Sequence, residues 1–142
     1  LGCSRCARHR RRTLFEVAQR LGCNKVALGH HADDLAQTTL LNLFSSGKVE
    51  TMAPTSAYFD GLFHLIRPLC YLPEKAIRRF SAASKHPPPP PACPRRDHTR
   101  RQQVADLIRQ AEPWCRNIRV NLLRAGLAGF EDHHNSEGDP QA

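Results

Sequence analysis

The 142-residue sequence has one methionine, Met52, one tryptophan, Trp114, and no methionine at its start, where Leu1 stands. That start reads as a processed, trimmed or partial chain. No apolar run approaches the ~18 residues that a membrane-crossing helix needs, so no such helix is expected. No charged-then-apolar leader with a small-residue cleavage site opens the sequence, so a cytoplasmic location is expected rather than secretion. Acids are scarce over most of the length. The first 130 residues hold 21 Lys and Arg but only nine Asp and Glu, and the last twelve carry four acids and no Lys or Arg. The formal charge of +8 is thus a strongly basic body with a short acidic tail. Such a surplus points to a polyanionic partner, nucleic acid above all, with a generally basic soluble surface as the plain alternative. No internal repeat is present. Length and the 40% apolar content suit one domain, or part of one, with a modest core.

Six cysteines are present. Cys3 and Cys6 form a Cys-x-x-Cys pair, whose spacing turns two sulfurs the same way and suits a metal, a cluster or redox chemistry. Cys23, Cys70 and Cys115 sit beside apolar neighbours at the ends of expected elements and read as small buried hydrophobes. Cys93 lies between five consecutive prolines (87–91) and Pro94-Arg95-Arg96, with no evident core to join. Three loop thiols make an incomplete zinc site but a good iron–sulfur site with one iron left open. Disulfides fit less well, since nothing indicates an oxidising compartment.

The apolar pattern predicts a helix over 8–21, ended by Gly22, and a buried strand over 25–28. A second helix is expected from about Asp33 to Ser46, with Asp33 and Asp34 in its first turn. A strand over 64–67, a helix over 73–83 with Pro73 at its first position and Ile77 and Phe80 inward, and helices over 97–111 and 113–127 follow. The last should end near Gly126 and Gly129. The prolines at 87–91 are an extended linker or strut. The expected division is 1–86, an α/β half-domain; 87–127, strut, third cysteine and C-terminal helices; and 128–142, a disordered acidic tail.

Gly29-His30-His31-Ala32-Asp33-Asp34 joins the end of the first strand to the start of a helix, where α/β folds bind ligands. Gly29 admits a ligand close to the backbone, the helix start offers N–H groups to a phosphate, and the carboxylates suit magnesium. Metal ligation in a hydrolase, or a simple helix cap at Asp33, are the alternatives. Ser45-Ser46-Gly47-Lys48 resembles the end of a P-loop but falls at the end of a helix. Arginines cluster at 8, 10, 11 and 12 and again at 95, 96, 100 and 101. Both groups flank the proposed cluster cysteines, so they read as an RNA phosphate surface or as solvated helix faces.

Taken together, Cys-Ser-x-Cys-Ala-Arg from Cys3, the run from Leu21 to Asp34, Leu-Leu-Asn-Leu-Phe from Leu40 and Ile-Arg-Pro-Leu from Ile66 resemble the TtcA-like tRNA 2-thiocytidine synthetases. These belong to the PP-loop ATPase superfamily. The resemblance runs from Cys3 to Leu127. It implies an α/β fold, a partial Rossmann-like parallel sheet with C-terminal helices. It implies that ATP adenylates the C2 oxygen of an anticodon-loop cytidine and that sulfur displaces AMP. By the same resemblance, Cys3, Cys6 and Cys93 would hold a [4Fe-4S] cluster and act in sulfur transfer. Gly29, His30, Asp33, Asp34 and Arg67 would line the ATP and Mg2+ site. Arg8, Arg10, Arg11, Arg95, Arg96, Arg100 and Arg101 would meet tRNA. A sulfur donor such as a cysteine desulfurase is the expected partner, a homodimer is a candidate assembly, and no membrane is involved. The family's Ser-Gly-Gly-x-Asp-Ser phosphate loop is absent and is expected upstream of Leu1, so the chain reads as a fragment inactive by itself. Arg12 stands where the family commonly has Gly. The Cys93 segment has one cysteine where many members have Cys-x-x-Cys. A non-catalytic zinc- or cluster-binding RNA module is the alternative, and a metal-dependent phosphohydrolase explains neither the cysteines nor the arginines.

Overall fold

The structure, a computed structural model, describes residues 3–84, 86 and 99–134, with 3–4 and 131–134 described by backbone alone. Two compact units share the chain and interleave in sequence. The first takes Leu1–Gly29 and Pro54–Pro68, the second His30–Ala53 and Leu69–Ala142.

The first unit is a helix and a three-stranded sheet: α1 (Cys3–Arg20), β1 (Lys25–Ala27), β2 (Thr55–Tyr58) and β3 (Phe63–Ile66). Helix α1 starts five residues before the expected Arg8. Nothing between Cys3 and Arg20 is Gly or Pro, and the Arg-rich run after Cys6 favours helix. The Cys-x-x-Cys pair is therefore the first turn of a helix, not a loop before one. The other end closes as expected. Gly22 has φ +68°, its N–H donates to the Gln19 carbonyl, and the Cys23 N–H donates to the Ala18 carbonyl. This double bond pattern satisfies the last carbonyls of the helix. The sheet order is β1-β3-β2. β1 and β3 run parallel, with Val26 opposite Leu65. β2 runs antiparallel to β3, with Tyr58 opposite Phe63. The parallel expectation holds for β1 and β3 and is corrected for β2. Its Thr-Ser-Ala-Tyr sequence has no apolar alternation to announce a strand. The cue lies in the turn, where Asp60 and Gly61 both have positive φ and the Leu62 N–H donates to the Phe59 carbonyl. Asp-Gly is a favoured pair for a tight hairpin. Ala18, Val26 and Leu65 form the buried interior of this unit.

The second unit is helical: α2 (Ala32–Ser46), α3 (Glu74–Ala83), α4 (Arg100–Ala111) and α5 (Ile118–His134). α2 packs on α5 and on α4. Leu35, Cys70 and Leu127 are its buried centre, joined by Met52, Leu123 and Phe130. Ile108, on α4, is fully buried. α5 starts later than Pro113 and runs straight through Gly126 and Gly129, so neither glycine ends it. Gly126 is there for closeness. A Cβ at that position would lie 2.2 Å from Thr39 Oγ1 and 2.9 Å from Thr51 Cβ. Residues 128–134, expected in the disordered tail, are instead the last turns of α5. Pro73 is the N-cap of α3 rather than its first residue. Phe80 is 69% exposed, against the inward position expected of it, because α3 buries no residue fully. Thr99 caps α4 by accepting from the Gln102 N–H. No helix among the described residues is long and apolar enough to cross a membrane.

Candidate functional site

Gly29 and Arg67 share one place in the first unit. Each follows a strand, β1 and β3, and the two strands run side by side in the same direction. Both residues thus lie at the C-terminal ends of a parallel pair. A Cβ built on Gly29 meets nothing within 4 Å, so the space above it is open. Arg67 is buried, and its N–H donates to the Pro54 carbonyl at 2.9 Å. A basic residue and a glycine thus follow the strand ends of a parallel pair, the end at which α/β sheets take ligands.

Cys3 and Cys6 stand at i and i+3 on α1 and so share a helix face. Cys6 is exposed and carries a free thiol. Cys93, Arg95 and Arg96 lie outside the described residues. Arg8, Arg10 and Arg11 are exposed along α1, and Arg100 is exposed at the start of α4. Of the three thiols read as core residues, Cys70 is buried. Cys115 is half-buried, and Cys23 is exposed just past the Gly22 turn.

In the second unit the start of α2 is a node of charge. His31 is its N-cap, which corrects the alternative of Asp33 as cap. The His31 N–H donates to Asp34 Oδ2 at 3.2 Å. The Ala32 N–H donates to the Leu72 carbonyl and the Asp34 N–H to the His31 carbonyl. These three N–H groups are already paired, contrary to the expectation that they await a phosphate. Asp33 is 7% exposed. Its Oδ2 accepts the Glu74 N–H at 2.7 Å, which places a carboxylate at the positive end of α3. Its Oδ1 accepts from Arg119 Nη1 at 2.6 Å. Arg119 Nε also donates to Glu112 Oε1. The hydrogen bond that Arg119 donates to Glu112 raises its pKa above the ordinary value, burial opposes the rise, and the Asp33 charge adds to it. Asp34 Oδ1 accepts from Arg101 Nη1 at 3.1 Å, while Arg101 Nη2 donates to Thr38 Oγ1. The His31 ring sits between the two carboxylates. Its Nε2 is 3.3 Å from Asp34 Oδ2 and its Nδ1 is 3.8 Å from Asp33 Oδ2.

This arrangement decides what the carboxylates do. Asp33 ties α2 to α3 and α5, and Asp34 ties α2 to α4. Arg101, expected to meet RNA, is committed to Asp34 and Thr38. Among the described residues no group of three or more His, Cys, Asp or Glu is placed to hold a metal ion. The donor set at α2 therefore does not fit magnesium while Arg101 and Arg119 occupy it. Sequence reasoning missed Arg119 and Glu112. Nothing marks Arg119 as special within an expected helix, since Asp33 lies 86 residues away, and Glu112 falls between two expected helices, seven residues from Arg119.

Comparison with known proteins agrees with the fold and the motif order. The chain is 44% identical over 139 residues to a tRNA-cytidine(32) 2-sulfurtransferase of Paracidovorax citrulli, covering 96% of this chain and 44% of that protein. It is 38% identical over 140 residues to the protein of the same name from Methylobacillus flagellatus, covering 96% and 45%. With the Geotalea uraniireducens protein it shares 40% over 125 residues, covering 87% and 50%. The chain thus spans half or less of the length of these curated relatives. Its fold matches that of the U34-tRNA thiolase NcsA from Methanococcus maripaludis, solved with its [4Fe-4S] cluster. The TM-score is 0.65 at 23% identity, covering 92% of this chain and 44% of that one. No family model matches.

Proposed function

We propose that this chain is part of an ATP-dependent tRNA-cytidine 2-sulfurtransferase acting on the anticodon loop. One observation carries the reading: similarity to proteins of that name runs over 96% of the chain, at up to 44% identity over that span. Cys3 and Cys6, on one face of the first turn of α1, are proposed to hold a [4Fe-4S] cluster together with Cys93. When bound, such a cluster with one iron free of protein ligands supplies a place for the incoming sulfur. Gly29 and Arg67 are proposed to receive phosphate oxygens of the nucleotide, one by leaving room and the other by its charge. His30 is assigned to the same nucleotide chemistry. Asp33 and Asp34 are proposed to work by holding the start of α2 against Arg119 and Arg101. Exposed Arg8, Arg10, Arg11 and Arg100, with Arg95 and Arg96, are proposed to meet tRNA phosphates. The sulfur donor is proposed to be a cysteine desulfurase, the assembly a homodimer and the compartment the cytoplasm.

The test is made in cells whose own copy of the gene carries Cys6→Ala. Mass spectrometry of hydrolysed tRNA should show 2-thiocytidine lost in the variant and present in the parent. Persistence of 2-thiocytidine overturns the reading. Anaerobic purification gives a parallel check, with about four irons and four labile sulfides expected per cluster. Zinc without labile sulfide assigns the cysteines to a non-catalytic RNA-binding module instead.

A further inference from the structure

A second feature of the first unit stands apart from the strand ends that carry Gly29 and Arg67. Phe63 begins β3 and Arg67 follows its end, so the two lie about 13 Å apart along an extended chain. Around Phe63 the hairpin tip and α1 enclose an open cleft of about 880 Å3. That is near the upper end of the ~300–1,000 Å3 typical of ligand clefts. Four aromatic rings meet at it. Phe15 lies 5.2 Å from Tyr58, 5.8 Å from Phe59 and 5.7 Å from Phe63, centroid to centroid, all tilted or edge-on. Phe59 remains 61% exposed and Leu62 69%. Phe59 is also held at φ +53°. A bulky side chain is rarely found in the left-handed region, and holding it there costs about 1–2 kcal/mol. The contacts of Phe59 with Phe15, Tyr58 and Phe63 are tilted or edge-on, so most of the Phe59 surface stays open to an occupant.

Charge then selects among occupants. Arg8, Arg11 and Arg12 line the α1 side of the cleft, and Glu16 is its one acid. Glu16 is already paired with Arg12 at 2.7 Å. Among the described residues no acid pairs with Arg8 or Arg11. Two uncommitted guanidinium groups beside exposed ring faces form the pattern that holds unpaired nucleic acid. The rings stack on bases and the cations follow phosphates. A base in a duplex is stacked on its neighbours and offers no free face. We infer that this cleft binds unpaired RNA nucleotides, with Phe59 stacking on a base and Arg8 and Arg11 on the adjoining phosphates. The inference rests on the tRNA partner proposed above. It adds that the partner is gripped by single-stranded bases at a site apart from the strand ends that carry Gly29 and Arg67.

The test is a fluorescence anisotropy titration of the full-length protein with a labelled unpaired RNA octamer and with a labelled RNA duplex, without ATP or cluster. Its outcome is therefore independent of whether thiolation occurs. The octamer should bind more tightly than the duplex. Phe59→Ala should weaken octamer binding about 5- to 100-fold, the loss of one stacked base, while Phe59→Trp retains it. Arg8→Ala and Arg11→Ala should each lower the slope of log affinity against log salt by about 0.7. Ultraviolet crosslinking of the parent chain, which needs no variant, should place RNA on the peptide containing 58–63. Equal binding of duplex and octamer with Phe59→Ala unchanged overturns the inference, as do crosslinks that avoid both α1 and the hairpin. So does self-association of the chain that Phe59→Ala abolishes, which assigns the cleft to a second copy.

Discussion

Asp33 accepts from the Glu74 N–H and from Arg119, so truncating its side chain orphans the Glu74 N–H and leaves the half-buried Arg119 with Glu112 alone. Asp33→Ala is expected to cost about 3 kcal/mol in urea unfolding. That is the lower end of the range for breaking a buried pair, because the Arg119 side chain is a third exposed. Arg119→Met with Asp33→Leu should recover only part of the loss, since the apolar pair removes the buried ion pair but leaves Glu112 and the Glu74 N–H without their partners. Gly126 and Gly129 make a second comparison on one helix. Replacing a helical glycine by alanine gains up to about 1 kcal/mol where there is room. A Cβ on Gly129 meets nothing within 4 Å, so Gly129→Ala should raise stability by that amount. At Gly126 the same methyl meets Thr39 and Thr51, both buried and both hydrogen-bonded to the Leu35 carbonyl. Overpacking of about 1–3 kcal/mol should exceed the gain there, so Gly126→Ala lowers the melting temperature while Gly129→Ala raises it.

Helix α1 carries the cysteine pair at one end and the Gly22 turn at the other, so the chain reversal after α1 fixes how the helix enters β1. Gly22→Ala forces an alanine to φ +68° and should cost about 1–2 kcal/mol, read as a lower unfolding midpoint. If the turn serves only to reverse the chain, Gly22→Asn should lose less, because Asn tolerates that conformation. At this scale much is legible in the residues alone. The periodicity of Leu14, Val17 and Ala18, the stop at Gly22, the strand at 25–27 and the acids opening α2 are all encoded locally. The start of α1 is not, because the Cys-x-x-Cys motif reads as a ligand turn and neither Cys nor Ser favours a helix strongly. Strand β2 is hidden by its small polar residues and signalled only by Asp60-Gly61. The need for glycine at 126 inside α5 comes from its closeness to Thr39 and Thr51, which no local pattern reveals.

Over the whole molecule, composition points to a polyanionic partner and motif order points to a fold, and the fold matches that of a known tRNA thiolase. Candidate site residues are legible as types and positions. What the carboxylates touch is not, because Arg101 and Arg119 reach them from 67 and 86 residues away. The units themselves are also hidden. The chain passes from one unit to the other at 29–30, at 53–54 and again at 68–69. No single breakpoint in the gene therefore separates them. Recombination at one point, which can trade a contiguous domain between genes, must here cut through at least one unit. The segment 54–68 alone carries β2 and β3, including the strand that joins the other two. The helix bearing the cysteine pair and the helices gripping Asp33 and Asp34 are thereby inherited as one piece.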